Sequence, residues 1–115
     1  GEIVLGRCGP SSTLSQVLDY YLNTKHFNSL SYNTQKNYEY NLKSICAGTV
    51  FNKSVGNTPL NRLNTTICTE MYDQWEASVS TDHANQLARI FSVLINYCIS
   101  MELMMYNIFL KKDNL

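Results

Sequence analysis

Residues 80–106 are the segment that most constrains how this chain can fold. Apolar residues recur there at steps of three and four, the spacing of one helical face, and neither glycine nor proline interrupts them. That face comprises Ala84, Leu87, Ala88, Phe91, Leu94, Ile95 and Cys98. Ser80, Thr81 and Asp82 stand at its start, and each can cap a helix by accepting a backbone N–H. The segment therefore predicts one long amphipathic helix with a dry side for a core.

Three further helices are predicted ahead of this segment, each starting at a residue that can cap it. They cover residues 13–25, with Thr13 and Gln16 as a capping box, residues 32–47, between Ser31 and Gly48, and residues 65–78, after Asn64 or Thr65. A capping box satisfies two orphan backbone donors, and a glycine after the last turn commonly closes a helix. Because no stretch alternates convincingly like a strand, the predicted fold class is all-α, a four-helix bundle.

The inner sides of these three helices are expected to complete the core. Their apolar positions are Leu14, Val17, Leu18, Tyr21 and Leu22 in the first, Thr34, Tyr38, Leu42, Ile45 and Cys46 in the second, and Ile67, Cys68, Met71 and Trp75 in the third. Trp75 follows the apolar spacing, so we expect it to be a buried anchor, together with Phe91, where the third and fourth predicted helices meet.

Gly56 and Pro59 mark residues 49–64 as the longest irregular segment. We expect its apolar residues to pin it to the core: Val50, Phe51, Val55, Leu60 and Leu63.

The composition indicates one folded domain and limits its partners. Of the 115 residues, 44% are apolar and 16% charged, which argues against general disorder. The net charge is zero, whereas proteins that bind nucleic acid strongly by themselves are usually basic, since they must neutralise phosphates. A module that supplies part of a larger DNA interface remains compatible with this balance.

The four cysteines, Cys8, Cys46, Cys68 and Cys98, do not form a metal-binding pattern. They contain no C-x-x-C pair, and no histidine stands at zinc-ligand spacing from them. We expect reduced thiols and hence a cytoplasmic protein, with a disulfide pair as the less favoured alternative. The longest uncharged run of the main helix, residues 90–101, is too short to span a bilayer, so no membrane partner is expected.

No catalytic motif is present in the sequence. His26 and His83 have no motif partner, and there is no Walker-type loop, G-x-S-x-G or H-E-x-x-H. We therefore expect neither an enzyme nor a cofactor or metal site in this chain.

Polar residues cover the outer sides of the second and fourth predicted helices. They are Asn33, Lys36, Asn37, Tyr40 and Lys43, with Glu39 beside them, and Asp82, Asn85, Gln86, Arg89, Ser92 and Asn96. Lysines can neutralise phosphates, and amides can hydrogen-bond phosphates or base edges. A solvated helix face has the same appearance, so the pattern alone leaves both interpretations open.

The order of the features along the chain is more specific than any single feature. It comprises the capped first helix, Thr34 and Tyr38 with Leu42 one turn later, a loop with Gly56, Pro59, Leu60 and Leu63, a helix ending near Trp75, and Thr81, Ala84, Asn85, Arg89 and Phe91 in the last helix. Over about residues 14–109 this order resembles the core-binding domain of phage-integrase-type tyrosine recombinases, a SAM-like helical domain. The resemblance implies that the domain clamps double-stranded recombination-site DNA for DNA integration or excision.

The resemblance also implies site residues, domain limits and partners. Carried over by position, the DNA side is Asn33, Lys36, Asn37, Tyr40, Lys43, His83, Asn85, Gln86 and Arg89. Residues 1–12 are expected to be a tail or linker, 13–106 the helical domain, and 107–115 the start of a linker to a catalytic domain of the same parent chain, which this sequence lacks. Other protomers of the recombinase would be partners on DNA. The alternative is a helical protein-interaction domain, which zero net charge favours, and a small enzyme is a distant third.

Overall fold

Five α-helices and one short antiparallel hairpin make up residues 11–101, the part of the chain that this computed structural model describes. In chain order the elements are α1 (Leu14–Leu22), α2 (Lys25–Asn28), α3 (Tyr32–Ala47), β1 (Thr49–Val50), β2 (Lys53–Ser54), a 3₁₀ turn (Leu60–Arg62), α4 (Thr65–Ser78) and α5 (Thr81–Ser100). The predicted all-α class is confirmed for these residues. The predicted linker, residues 107–115, and most of the predicted tail lie outside them.

Helix α5 packs against α1, α3 and α4, and so occupies the centre of the domain. Its predicted apolar face is buried apart from Ala88, which is partly buried, and Ile90 joins it. The helix ends at Ser100 with Met101 as its C-cap, and residues 102–106 of the predicted helix lie outside the described residues. The Ser100 hydroxyl donates to the carbonyl of Tyr97 at 2.6 Å. Such side-chain bonds compete with helix continuation at a last turn.

Capping side chains confirm where the predicted helices begin. Thr13 and Gln16 form the reciprocal capping box of α1, and Ser31, Asn64 and Ser80 accept the N–H groups of Thr34, Ile67 and His83. The first helix nevertheless ends at Leu22, short of the predicted Lys25. Thr24 caps a separate short helix, α2, between the first two predicted main helices, and α2 buries Phe27.

The segment predicted to be irregular, residues 49–64, contains a two-stranded hairpin. Gly48 closes α3 in an extended conformation (φ −77°, ψ 174°) and not in the left-handed one usual for such glycines, so β1 follows directly. Phe51 and Asn52 form the two-residue turn and both have positive φ, 52° and 66°. Positive φ at both positions characterises the type I′ turn, which matches the twist of paired strands. Strands of two residues are too short for alternation to reveal them.

Backbone hydrogen bonds join this segment to the N-terminus of α1. Leu14 N donates to Thr58 O at 3.1 Å, and Ser15 N donates to Gly56 O at 2.9 Å. The first N–H groups of a helix have no acceptor inside it, so the loop carbonyls satisfy them. Gly56 N in turn donates to Cys46 O at 2.9 Å, at the end of α3. A Cβ on Gly56 would overlap Ser15 Oγ and lie 2.8 Å from Cys46 O, which explains the glycine.

Most core predictions are confirmed, with two corrections. Val50, Val55, Leu60 and Leu63 are buried, as are the inner faces of α1, α3 and α4 apart from Leu22, Thr34, Tyr38, Ile67 and Trp75, which are partly buried. Phe91 is fully buried, but Trp75 only packs against the edge of the core. Phe51 is 57% exposed, because the hairpin turn carries its ring away from the bundle.

The cysteines behave as predicted where the structure describes them. Cys46, Cys68 and Cys98 are buried in three different helices and form no disulfide with one another. Burial raises the pKa of the Cys46 thiol to about 11, although a hydrogen bond involving Ser15 opposes the shift. Cys8 lies outside the described residues.

Candidate nucleic-acid interface

A groove between α3 and α5 brings together residues that are far apart in the sequence. The groove has a volume of about 380 Å³, and its lining includes Asn37 of α3 with Gln86 and Arg89 of α5. Tyr38, Ile90 and Val93 complete the lining. The groove therefore combines polar groups with an apolar component, and three predicted DNA-side residues meet there.

Hydrogen-bond donors dominate the polar part of this groove. Asn41 Nδ2 donates to both Asn37 Oδ1 (2.9 Å) and Asn37 O (2.8 Å), which fixes the amide of Asn37. The Nδ2 group of Asn37 has no partner among residues 11–101, and it can donate to a ligand. Arg89 is exposed, and no carboxylate among the described residues forms an ion pair with it. Donors and an uncompensated guanidinium suit phosphate oxygens and the acceptor atoms of bases.

The outer side of α3 extends this polar surface. Asn33 and Tyr40 stand one helical turn before and after Asn37, and both are exposed. Tyr40 is 75% exposed. The Lys36 ammonium lies 5.3 Å from the centroid of the Tyr32 ring, within the range of a cation–π contact. Lys36 is exposed at the surface. We define the helical face as Asn33, Lys36, Asn37, Tyr40, Gln86 and Arg89.

Lys43 has a different environment from the helical face. Its Nζ lies 2.8 Å from Glu39 Oε2, and this contact raises the pKa of Lys43 and lowers the pKa of Glu39. Asp19 of α1 also raises the pKa of Lys43, so this lysine lies on the side of α3 that faces α1. The structure does not bring Lys43 into the groove, and its charge is already balanced.

Asn85 and His83 are also separate from the groove. The Tyr72 hydroxyl of α4 donates to Asn85 Oδ1 at 2.5 Å, which orients this amide toward α4. His83 is partly buried in the first turn of α5, where its backbone N–H bonds the Ser80 cap. Helical periodicity predicts that Asn85 and Arg89 share a side of α5, but it does not reveal that α4 engages Asn85.

A larger cavity, of about 790 Å³, lies between the hairpin and the start of α4. Phe51, Lys53, Arg62 and Thr66 are among its lining residues. Sequence patterns did not indicate this site, because Phe51 is an apolar residue expected in the core. A signal was available: no aspartate or glutamate occurs between Glu39 and Glu70, although three basic residues do.

Neither a metal centre nor a membrane span is found in the described part of the chain. No group of three or more His, Cys, Asp or Glu side chains within residues 11–101 could hold a metal ion. Among the same residues, no helix has the length and apolar character needed to cross a bilayer. Comparison with protein-family models, curated proteins and solved structures finds no match to this chain. The resemblance to recombinase core-binding domains therefore stays a prediction from the order of sequence features.

Proposed function

We propose that this chain is a DNA-binding module, the core-binding domain of a phage-integrase-type tyrosine recombinase. In this proposal it holds double-stranded recombination-site DNA for integration or excision. The observation that supports it most is the α3–α5 groove, where Asn37, Gln86 and the unpaired guanidinium of Arg89 converge. A further domain of the same parent chain would supply the catalytic residues. Other protomers would assemble on the same DNA, in the cytoplasm.

The side chains of the helical face divide into two roles in this proposal. Arg89 and Lys36 neutralise phosphates, because both are exposed and neither forms an ion pair among residues 11–101. The amides of Asn37 and Gln86 bond phosphate oxygens or base edges. Phosphate contacts set the position on the duplex, and base contacts set the sequence preference.

The charge of the helical face implies weak, salt-sensitive binding. Each neutralised phosphate contributes about 0.9 to the slope of log affinity against log salt. With Lys43 paired to Glu39, Lys36 and Arg89 give a slope of about −1.8. The isolated chain is thus expected to supply only part of a larger interface.

Titration of a fluorescein-labelled duplex at several salt concentrations tests the proposal. Arg89→Ala and Lys36→Ala should each weaken binding and reduce the slope by about 0.9. Lys43→Ala should have a smaller effect because of its ion pair. Lys25→Ala removes a positive charge from α2, outside the helical face, and is the matched control. If the Lys36/Arg89 double alanine variant bound the duplex as the parent does, the helical face would not be a DNA surface.

A protein-interaction domain is the second candidate, and one observation favours it. Tyr32 and Tyr40 are 70% and 75% exposed on α3, and tyrosine is enriched at protein interfaces. Loss of a protein partner by Tyr40→Ala, with duplex affinity unchanged in Arg89→Ala, would favour this candidate over DNA binding.

A further inference from the structure

The cavity beside the hairpin, which we call the hairpin cleft, differs from the helical face in its elements and its chemistry. It is formed by the hairpin turn, the loop that follows it and the first turn of α4, and neither α3 nor α5 contributes to its lining. Its volume of about 790 Å³ falls within the range of small-molecule sites. The cleft can therefore hold a ligand of the size of a nucleotide.

The charged groups of the hairpin cleft are all positive. Lys53 and Arg62 line it, and no aspartate or glutamate does. Neither cation has an ion-pair partner among residues 11–101. The nearest acidic residues in the sequence are Glu39 and Glu70. The cleft consequently favours an anionic ligand, and a phosphate group fits an arginine and a lysine acting together.

Phe51 presents an aromatic ring at the cleft that serves neither the core nor the turn. The ring is 57% exposed, and the backbone is left-handed at φ 52°. Such a conformation is unfavourable for a bulky residue, and asparagine or glycine would suit this turn position better. Phe51 therefore keeps an exposed ring although its backbone conformation is unfavourable. This combination favours a contact between the ring and a ligand.

Polar groups of the cleft add hydrogen-bonding capacity next to the ring and the cations. Asn57 and Thr66 belong to the lining, and their side chains can donate to and accept from the edge of a base. Thr66 lies in the first turn of α4, where the helix dipole adds a partial positive charge. These groups supplement the two cations.

We propose that the hairpin cleft binds a nucleotide, either free or as an unpaired unit of a single strand. Phe51 stacks on the base, Arg62 and Lys53 hold the phosphate, and Asn57 and Thr66 bond the base edge. An acidic peptide would satisfy the two cations but would leave the exposed ring without a planar partner, so a nucleotide fits the whole set better. The inference is independent of duplex binding by the helical face.

Nuclear magnetic resonance titration of the full chain locates the site. The probes are dTMP, an eight-nucleotide oligo-dT, thymidine and inorganic phosphate. We expect dTMP and oligo-dT to shift the amide signals of Lys53, Thr66 and Ile67, with thymidine or phosphate alone producing smaller shifts. Tighter binding of oligo-dT than of dTMP would identify a strand as the ligand, and equal binding would identify the free nucleotide. Shifts confined to α3 and α5 would overturn the proposal.

Substitutions at Phe51 separate binding from stability. Phe51→Asn removes the ring but suits positive φ, so Tm should be equal or higher. Binding of oligo-dT should nevertheless weaken by at least about fivefold, because base stacking is lost. Phe51→Tyr keeps the ring and should bind like the parent. Unchanged affinity in Phe51→Asn would contradict the proposal.

Substitutions of the cations complete the test. Arg62→Gln and Lys53→Gln should each weaken binding by about tenfold, the usual scale of a lost charge-assisted hydrogen bond. Lys25→Gln, on α2, is the control and should change nothing. Binding of octa-glutamate with the same affinity and the same sensitivity to variants would overturn the nucleotide assignment. Arg89→Ala should leave oligo-dT binding intact, so failure of the cleft is distinguishable from failure of the helical face.

Discussion

The helical face and the hairpin cleft each carry cations that form no ion pair among residues 11–101, but the two surfaces arise in opposite ways. The helical face joins Asn37 to Gln86 and Arg89 across nearly half of the chain, yet periodicity alone predicted that each of these residues lies on a polar outer side of its helix. The lining of the hairpin cleft comes from one continuous stretch that includes Phe51 and Arg62, yet no sequence pattern indicated it. Residues on a regular helix repeat at a fixed period, so the sequence indicates which of them share a surface. Residues in an irregular segment have no such period, even when they are close in sequence.

The two surfaces also differ in how their charges are balanced. Beside the helical face, Lys43 is paired with Glu39 at 2.8 Å. In the hairpin cleft, Lys53 and Arg62 have no carboxylate among the lining residues. A regular helix with acidic and basic residues four apart neutralises itself through neighbouring turns. The irregular segment lacks acidic residues, so its charge remains available for a ligand.

Removing the core beneath the helical face should have the largest effect on stability. Phe91 is fully buried in α5, and Phe91→Ala should cost about 3–5 kcal/mol of the free energy of unfolding. Trp75 lies at the edge of the core, so Trp75→Ala should cost about half as much. Urea denaturation measures both variants. Equal losses would mean that Trp75 is as deeply packed as Phe91, and that α4 supports the domain as much as α5 does.

Gly56→Ala should loosen the attachment of the hairpin cleft while leaving the helical face in place. The added Cβ would overlap Ser15 Oγ and crowd Cys46 O, and such overpacking costs about 2 kcal/mol. Hydrogen exchange of the Ser15 amide, which bonds Gly56 O, should become faster. Gly48→Ala is the matched control, because its Cβ would meet only Ile45 O, at 3.4 Å. An unaffected Gly56→Ala variant would show that the hairpin is not anchored through this contact.

Ionisation of Cys46 tests the junction between the end of α3 and Gly56, and its expected effect on stability is smaller. The pKa of its thiol is about 11 in the folded chain, against an ordinary value of 9.0. Above pH 9 the unfolded chain therefore releases this proton before the folded chain does, and stability falls as pH rises from 9 to 11. At pH 10 the loss is about 1.4 kcal/mol.

Thermal or urea unfolding at pH 8 and pH 10 measures this term. Cys46→Ala should show a decrease in stability that is smaller than that of the parent by about 1.4 kcal/mol. Subtracting the decrease in Cys46→Ala from the decrease in the parent cancels the contributions of other groups that titrate in this range. One of these is Tyr21, whose pKa is also raised by burial. The same decrease in parent and variant would mean that the thiol is not shielded at the junction.

Side-chain contacts explain which predicted site residues lie outside the groove. Asn85 has the right position on α5 for the helical face, but Tyr72 of α4 engages its amide. Lys43 has the right position on α3, but Glu39 and Asp19 compensate its charge. A helical period specifies the angle of a side chain about its own axis and contains no information about the neighbour found there.

The sequence by itself determined the four main helices, their caps and most of their buried faces. Helix caps and amphipathic periods are local, because a backbone donor and its capping side chain lie within one turn. Tertiary structure decided that Trp75 is only partly buried and that Phe51 points away from the core. It also decided that Gly56 joins α1 to α3 and thereby positions the hairpin cleft. Those outcomes depend on hydrogen bonds and packing between residues distant in the chain, which no local pattern encodes.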